Sequence, residues 1–209
     1  MKKYKTVLFD LDGTISNTSE GILFCLKKVF VKYGINPDDY NLYQFIGPPL
    51  LWTFNYVLGD GIDQFRALED FRKEYADHMY DNTLYDGVED LLIYLKDKGY
   101  TVGVATSKYE PMAYKVLEKL GVLGYFDFVY GALENRGEKD EILHAIFTDG
   151  KAEKSTTVLI GDTFYDLRGA QREKIDAIAV TYGFGKREDF DCYSPVAVCD
   201  TARQIKELF

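Results

Sequence analysis

Several features are scarce in this sequence, and each shortage excludes a class of protein. The three cysteines, Cys25, Cys192 and Cys199, form neither a CxxC pair nor a zinc-ligand spacing with histidine. We therefore expect buried free thiols in a reducing cytosol. The apolar stretch after Met1-Lys2-Lys3 is cut short by two aspartates, which fits neither a signal peptide nor a membrane span. A cytoplasmic protein without a membrane partner is the resulting expectation.

Positive charge is also scarce. Lys and Arg total 25 against 34 Asp and Glu, a formal net charge of -9, and no basic cluster stands out. Proteins that bind nucleic acid polymers normally carry a basic face, so this partner is not expected. If the ligand is an anion, a metal ion or a placed lysine has to concentrate positive charge locally. The sequence leaves both a monomer and a homodimer open.

Short β-rich runs alternate with amphipathic helical stretches over most of the chain. The predicted strands cover 4–9, 100–105, 126–130, 156–160 and 177–181, with a weaker one at 195–199. The predicted helices between or after them cover 87–98, 110–120, 140–147, 165–173 and 201–208. This alternation indicates an α/β fold with a Rossmann-like parallel sheet and helices on both of its faces.

One segment interrupts the alternation. From about Thr18 to Thr83 the apolar periodicity is helical, and one predicted face contains Phe65, Leu68, Phe71, Arg72 and Tyr75. Gly47-Pro48-Pro49 and Gly59-Asp60-Gly61 are typical of loops. This pattern predicts an all-helical cap domain at 17–83, inserted into a core of 1–16 and 84–209.

Two carboxylates follow the first predicted strand, in Asp10-Leu11-Asp12-Gly13-Thr14. The carboxyl ends of parallel strands form the crevice where α/β proteins bind ligands. Two aspartates there would repel each other, raising the pKa of one or recruiting a cation. A calcium-binding EF-hand loop does not fit, because Ile15 and Gly21 occupy the positions that need Gly and Glu. Aspartates that simply form a turn after a strand are the alternative.

A second motif, Gly161-Asp162-Thr163-Phe164-Tyr165-Asp166, follows the predicted strand at 156–160. Asp166 could simply favour the start of a helix through the helix dipole. Asp162 is harder to dismiss, because Mg²⁺ takes one or two carboxylates together with waters and phosphate oxygens. Asp10 and Asp162 would supply these carboxylates from adjacent strand ends, so the sequence predicts a magnesium site.

Two weaker signals complete the set. Thr106-Ser107 follows the strand at 100–105 and could donate hydrogen bonds to a phosphate, and Lys139 lies just before a predicted helix. Taken alone, a hydroxyl pair after a strand is commonplace, and most such lysines are solvated surface charges.

The four motifs together, in this order, resemble the haloacid dehalogenase (HAD) superfamily. The helical insert after the first motif resembles the small C1 cap of that superfamily. The stretches 45–50 and 180–185 are similar to phosphoglycolate phosphatase-like and bacterial 5′-nucleotidase-like members. One departure is that many relatives carry Lys-Pro where this chain has Lys139-Asp140, although the lysine itself is kept.

The resemblance implies a Mg²⁺-dependent phosphatase acting on a small-molecule phosphate monoester. Asp10 would be the nucleophile, and Asp12 the general acid and then the general base. The side chains of Asp10 and Asp162 and the backbone carbonyl of Asp12 would hold the Mg²⁺ ion. Asp166 would orient a metal-bound water without contacting the ion.

The resemblance also implies where the substrate binds. Thr106, Ser107 and Lys139 would bind the phosphoryl oxygens. Specificity is expected from the cap, with the Gly47-Pro48 loop as the candidate contact. Trp52, for which cap–core packing is the favoured interpretation, and the hinge residues Asn17 and Asn82 are further candidates.

Two alternatives to a phosphatase remain open, a sugar phosphomutase and a non-catalytic scaffold. Aspartate at position 12 argues against the ion-pumping ATPases, which resemble this chain but carry Thr there, and against the metal-independent dehalogenases. A sugar phosphomutase would pass the phosphoryl group to a second hydroxyl of its substrate by the same aspartyl-phosphate chemistry. A non-catalytic scaffold would keep the fold and would tolerate Asp10→Asn.

Overall fold

The structure is a computed structural model that describes residues 4–59 and 63–209. Of the predicted loop Gly59-Asp60-Gly61, residues 60 and 61 lie outside the described residues. The strands are β1 (Thr6–Phe9), β2 (Ser16–Asn17), β3 (Thr83–Leu84), β4 (Thr101–Tyr109), β5 (Phe128–Ala132), β6 (Thr157–Gly161), β7 (Asp176–Val180) and β8 (Ala197–Cys199). The helices are α1 (Ser19–Lys32), α2 (Leu50–Leu58), α3 (Gln64–His78), α4 (Val88–Asp97), α5 (Glu110–Lys119), α6 (Lys139–Thr148), α7 (Phe164–Glu173) and α8 (Ala202–Lys206).

Six strands form one parallel sheet in the order β5-β4-β1-β6-β7-β8. Alternate residues of β1 face opposite sides of the sheet, and both sides are covered. Val7 and Phe9 belong to the apolar cluster that includes α4, α5 and α8, whereas Leu8 belongs to the cluster formed with α6 and α7. Burial on both faces explains why these strands read as continuous apolar runs. The predicted α/β fold is therefore confirmed.

The strands and helices predicted outside the insert agree with the observed ones to within a few residues, with one informative exception. The strand predicted at 100–105 extends to Tyr109, but its pairing with β5 shifts register between Ala105 and Tyr109. Regular pairing thus ends where the prediction ended it.

The expectation of buried thiols is wrong for Cys192, which is exposed in the surface segment before β8, whereas Cys25 and Cys199 are buried.

Helices α1, α2 and α3 form the insert between β1 and α4, and they pack on one another through Cys25, Phe54 and Phe71. Phe65 departs from the predicted apolar face of α3, because it is 60% exposed. The chain enters and leaves the insert through β2 and β3, which pair antiparallel with Ser16 opposite Leu84. This ribbon lies at the expected hinges, while the division at 17–83 stays a prediction.

Within the described residues, no helix combines the length and the apolar character needed to cross a membrane.

Candidate active site

The carboxyl end of β1 places the two aspartates of the first motif. The Asp10 N–H donates a hydrogen bond to the Ile160 carbonyl at 2.9 Å, which ties the strand tip to β6. The chain then turns through Gly13, whose φ of +95° is disfavoured for residues with a side chain. Both aspartates are buried and line a cavity above the sheet.

Three carboxylates converge at this edge of the sheet. Asp10, Asp162 and Asp166 each offer an oxygen within 4.8 Å of the others, and all three residues are buried. Asp10 and Asp162 come from the tips of the neighbouring strands β1 and β6, as the sequence predicts, and Asp166 comes from the first turn of α7. This spacing is close enough for one cation to contact Asp10 and Asp162 together.

Lys139 is the buried cation of this cluster. Its Nζ lies 2.8 Å from Asp10 Oδ1, 2.8 Å from Asp166 Oδ1 and 2.6 Å from the Ala105 carbonyl oxygen. These contacts use all three ammonium protons. Burial alone would lower the pKa of Lys139, but Asp10 and Asp166 outweigh it and raise the pKa. The next residue, Asp140, pairs with Arg172 at 3.1 Å instead.

Negative charge in the cluster exceeds what Lys139 balances. Burial raises the pKa of Asp10 to about 6, against the opposing effect of Lys139 and with the help of Asp166 and Asp12. Burial, then repulsion by Asp166 and Asp10, raises the pKa of Asp162 well above its ordinary value. Three buried carboxylates facing one lysine are short of positive charge, and a hard divalent cation would supply it. The donor set therefore fits Mg²⁺.

Hydrogen bonds hold the Asp162 side chain in place. Its Oδ1 accepts from Thr14 Oγ1 at 2.9 Å, and its Oδ2 accepts from the Phe184 N–H at 2.8 Å. A Cβ atom on Gly13 would lie 2.2 Å from Asp162 Oδ2. Glycine is thus required here both for its conformation and for the close approach of this carboxylate.

Asp166 makes two sets of contacts, and its role in orienting a metal-bound water stays a prediction. Its Oδ2 accepts from the Thr163 N–H at 3.0 Å and from Thr163 Oγ1 at 2.8 Å, which forms the capping box of α7. Its Oδ1 pairs with Lys139. Asp166 therefore starts a helix and also fixes the lysine of the site.

The predicted phosphate-binding residues lie where β4 ends. Thr106 is buried, its Oγ1 accepts from the Lys108 N–H at 3.2 Å, and its own hydroxyl proton is free to be donated. Ser107 follows it, and both line the same cavity as Asp10 and Asp12.

Lys108 was missed as a site residue by the sequence reasoning. Its Nζ lies 2.8 and 2.9 Å from the two carboxylate oxygens of Asp12. A lysine two positions after Thr106 was the available signal, but an isolated lysine after a strand is usually a surface charge. Only the fold brings β4 beside β1 and so turns Lys108 toward Asp12.

A cavity of about 780 Å³ separates the sheet edge from the helical insert. The insert contributes Gly47 and Pro48, as predicted, together with Leu50, Trp52, Phe71 and Arg72. Gly47 has a φ of +108° and lies against Thr163, so this loop contacts the core beside Asp162. The Arg72 guanidinium lies 4.6 Å from the Tyr109 ring and has no ion-pair partner within the described part of the chain.

The remaining cap candidates fare differently. Trp52 lines the cavity, packs edge-on against Tyr165 of α7 at 6.4 Å, and is still 42% exposed. Asn17 is exposed and accepts hydrogen bonds from Ser19, and Asn82 donates to the Met79 carbonyl. Neither asparagine lines the cavity, so the structure does not bring them to the site.

The fold and its covered, acid-lined cavity define a cap-bearing α/β enzyme. Comparison with known proteins makes the class specific, because residues 7–180 match the family described as haloacid dehalogenase-like hydrolase. The chain belongs to this family, as the order of its motifs predicts, and it is an enzyme of the phosphatase type.

Several relatives cover almost the entire chain. A 5′-nucleotidase of Pseudomonas aeruginosa is 32% identical over 99% of this chain and 96% of its own length. A tyrosine-protein kinase, PtkA of Mycobacterium tuberculosis, is 31% identical over 97% of this chain and 70% of its own length. A phosphoglycolate phosphatase of Nitrosococcus oceani is 27% identical over 100% of this chain and 97% of its own.

Among solved structures, a haloacid dehalogenase-like hydrolase of Streptococcus pneumoniae superimposes with a TM-score of 0.92. It is 28% identical in sequence, and the match covers 100% of both chains.

Proposed function

We propose that the protein hydrolyses the phosphate monoester of a small soluble metabolite, phosphoglycolate-like or a nucleoside monophosphate, through an aspartyl phosphate at Asp10. The supporting observation is the convergence of the Asp10 and Asp162 carboxylates beside the buried Lys139. A cytoplasmic location and a monomeric or homodimeric state belong to the same proposal.

In the first step, a carboxylate oxygen of Asp10 forms a bond to phosphorus while the bond from phosphorus to the alcohol oxygen breaks. The carboxyl proton of Asp12 passes to the departing oxygen, so the alcohol leaves neutral. Asp12 lies two residues beyond Asp10 and lines the same cavity, as this division of labour requires. The covalent intermediate divides one difficult displacement into two easier ones.

In the second step, the carboxylate of Asp12 takes a proton from a water molecule. The oxygen of that water forms a bond to phosphorus, and the bond between phosphorus and Asp10 breaks. Inorganic phosphate is released, and both carboxyl groups return to their starting states. The pair thus restores itself without an outside acid or base.

Mg²⁺ would be held by the Asp10 and Asp162 side chains and by the Asp12 backbone carbonyl. When bound, it supplies the positive charge that offsets repulsion between the Asp10 carboxylate and a phosphate dianion. The hydroxyls of Thr106 and Ser107 would donate hydrogen bonds to the phosphoryl oxygens.

Lys139 is proposed to bind the phosphoryl group as well. Its three protons are engaged by Asp10, Asp166 and the Ala105 carbonyl, so a phosphoryl oxygen must replace one of these acceptors. The Asp10 carboxylate is the natural one to yield, because it turns toward phosphorus as it attacks.

The cavity supports a metabolite of the size of a nucleoside monophosphate or smaller. Its volume of about 780 Å³ lies within the range of small-molecule sites. The Gly47-Pro48 loop, which we propose as a substrate contact, closes one side of the cavity. The apolar wall from the insert would exclude water from the intermediate.

The proposal is tested by assaying the purified protein with Mg²⁺ against phosphoglycolate, nucleoside monophosphates and sugar phosphates. Release of inorganic phosphate by the wild type, lost in Asp10→Asn, is the expected result. An Asp10→Asn protein with full activity would contradict the nucleophile assignment. Isomer formation without phosphate release would instead identify a phosphomutase.

A further inference from the structure

Lys108 and Asp12 form an ion pair that the two steps above do not use. The lysine lies near the end of β4, and its Nζ contacts both Asp12 oxygens, at 2.8 and 2.9 Å. The side chains are only 6% and 12% exposed. Burial would lower the pKa of Lys108, but Asp12 and Tyr75 outweigh it and raise the pKa, so the ammonium stays charged.

The cap completes this arrangement. Tyr75 of α3 is buried, and its ring lies 4.6 Å from Lys108 Nζ. One turn earlier on the same helix, Arg72 lies over the Tyr109 ring. Two cation–aromatic contacts, Tyr75 with Lys108 and Arg72 with Tyr109, therefore join α3 to the end of β4. Lys108 contacts both Tyr75 of the cap and Asp12 of the core, so it connects the two.

A purely structural purpose explains this pair poorly. Removing two charges from water costs free energy that their attraction often fails to recover, so a buried ion pair contributes little net stability. What such a pair provides is a fixed geometry. The ammonium donates to both oxygens while Asp12 is a carboxylate, and to its carbonyl oxygen when Asp12 carries the proton for the first step. Asp12 is the group that must meet first the departing oxygen and then the attacking water, and both transfers depend on that geometry.

We propose that Lys108 is a positioning residue that orients the Asp12 carboxyl for both proton transfers, and that Tyr75 makes this orientation depend on the closed cap. The inference rests on the proposed function. The charged partner of Lys108 is Asp12, so its removal is expected to act on the reaction through Asp12.

The choice of leaving group separates this role from general damage. p-Nitrophenolate leaves as a stable anion without a proton, whereas an alkoxide needs one. For Lys108→Met we expect kcat on an alkyl phosphate to fall about 10- to 100-fold, within the range of acid–base effects, with KM changed less than about threefold. With p-nitrophenyl phosphate, rapid mixing should show a retained burst of p-nitrophenol followed by slow turnover, because only the second step still needs Asp12.

A double-mutant cycle gives the decisive comparison. If Lys108 acts through Asp12, Lys108→Met should change kcat less than about twofold in an Asp12→Asn background. An equal loss in the wild-type and Asp12→Asn backgrounds would overturn the inference, as would equal losses of the burst and of steady turnover. Lys115→Met, which removes an exposed lysine of α5, is the matched control and should retain wild-type kinetics.

Two further variants keep the inference testable if Lys108→Met folds poorly, which a melting curve would reveal. Lys108→Arg keeps a cation that can contact both oxygens and should recover most of kcat. Tyr75→Leu removes the aromatic contact from the cap and should lower kcat in the same leaving-group-dependent way, whereas Tyr75→Phe keeps the ring and should not. A Tyr75→Leu defect equal for both leaving groups would remove the cap from the proposal. Failure of the wild type to release phosphate would count against the proposed function instead.

Discussion

The charged form of the Asp10 side chain is disfavoured in the metal-free protein. Burial raises the pKa of Asp10 to about 6, although Lys139 is in direct contact with it. The charged form is therefore less stable in the folded protein than in the unfolded chain. The proposed function requires this charge, and a bound cation would offset its electrostatic cost.

Asp10→Asn should therefore stabilise the metal-free protein while abolishing phosphate release. A pKa near 6 against an ordinary value near 4 corresponds to about 1–3 kcal/mol at pH 8. In EDTA at pH 8, the melting temperature should rise by about 2–4 °C per kcal/mol. The group's folded pKa is the raised one, so the wild type recovers stability as pH falls from about 6 toward 4, and the gain should shrink near pH 5.

The control for this substitution is Asp97→Asn, which changes an exposed carboxylate of α4. It should leave the melting temperature nearly unchanged at both pH values. Equal melting temperatures for Asp10→Asn and the wild type at pH 8 would show that Asp10 carries no such cost.

Gly13 gives a second test, because a methyl group there would meet Asp162 Oδ2 at 2.2 Å. Gly13→Ala should displace this carboxylate and weaken Mg²⁺ binding by at least about tenfold, equivalent to 1.4 kcal/mol. The measurement is the Mg²⁺ concentration that gives half-maximal activity or thermal stabilisation.

Gly99→Ala is the matched control for that substitution. Gly99 also has a positive φ, +80°, but a Cβ there meets no atom within 4 Å. It shares the backbone strain and should keep the Mg²⁺ affinity of the wild type. If both alanine variants lost affinity equally, strain rather than the Asp162 contact would be responsible.

Among the elements, sequence patterns succeeded where burial is complete. The apolar runs that became β1 and β6 are covered on both faces, so their ends, and the aspartates that follow, could be placed from the sequence. Lys108 could not be found in this way. Its partner Asp12 lies 96 positions earlier in the chain, and they meet because β4 pairs with β1.

Helix α3 likewise combines features that the sequence pattern predicts with others that depend on the tertiary fold. Its period of 3.6 residues correctly indicates that Phe71 and Tyr75 are buried. The period also placed Phe65 on that face, but Phe65 lies in the first turn, at the cavity, and is exposed. The period does not reveal that Arg72 reaches across the cavity to Tyr109, because that contact depends on how the cap lies over the core.

The contact between Arg72 and Tyr109 should help α3 close over the substrate. Cation–aromatic contacts contribute about 0.5–2 kcal/mol, so Arg72→Ala should raise KM about 2- to 30-fold while kcat changes little. Steady-state kinetics on the best substrate of the panel would measure both constants. Arg66→Ala, an exposed position of the same helix, should leave KM as it is, and an equal rise in KM for both would show a general effect of charge.

The whole molecule is a hydrolase of the haloacid dehalogenase-like family with an excess of acidic residues. Such a protein can bind an anion only where positive charge is concentrated locally. A net charge of -9 gives no general attraction for a phosphate ester. Under the proposed function, binding of the ester would depend on Lys139 and a bound cation at the sheet edge.

Mg²⁺ should therefore raise the melting temperature of the whole protein, and the effect should depend on pH. A ligand that binds only the folded state adds about 2.7 kcal/mol at 100 times its Kd. Because bound Mg²⁺ requires the Asp10 carboxylate to be deprotonated, the apparent affinity should fall about tenfold per pH unit below about 6. Melting curves with and without Mg²⁺ from pH 5 to 8 would test this. An affinity independent of pH over that range would exclude Asp10 as a ligand.

The β2–β3 ribbon has a consequence for how the sequence of this protein can change in evolution. Because Ser16 lies opposite Leu84, the polypeptide departs from the sheet domain and rejoins it at neighbouring points. Everything between these points can be lengthened, shortened or exchanged without moving β1 or α4. A different inserted domain at this position would change the residues that face the cavity, and with them the range of esters accepted, while the catalytic residues of the core stay in place.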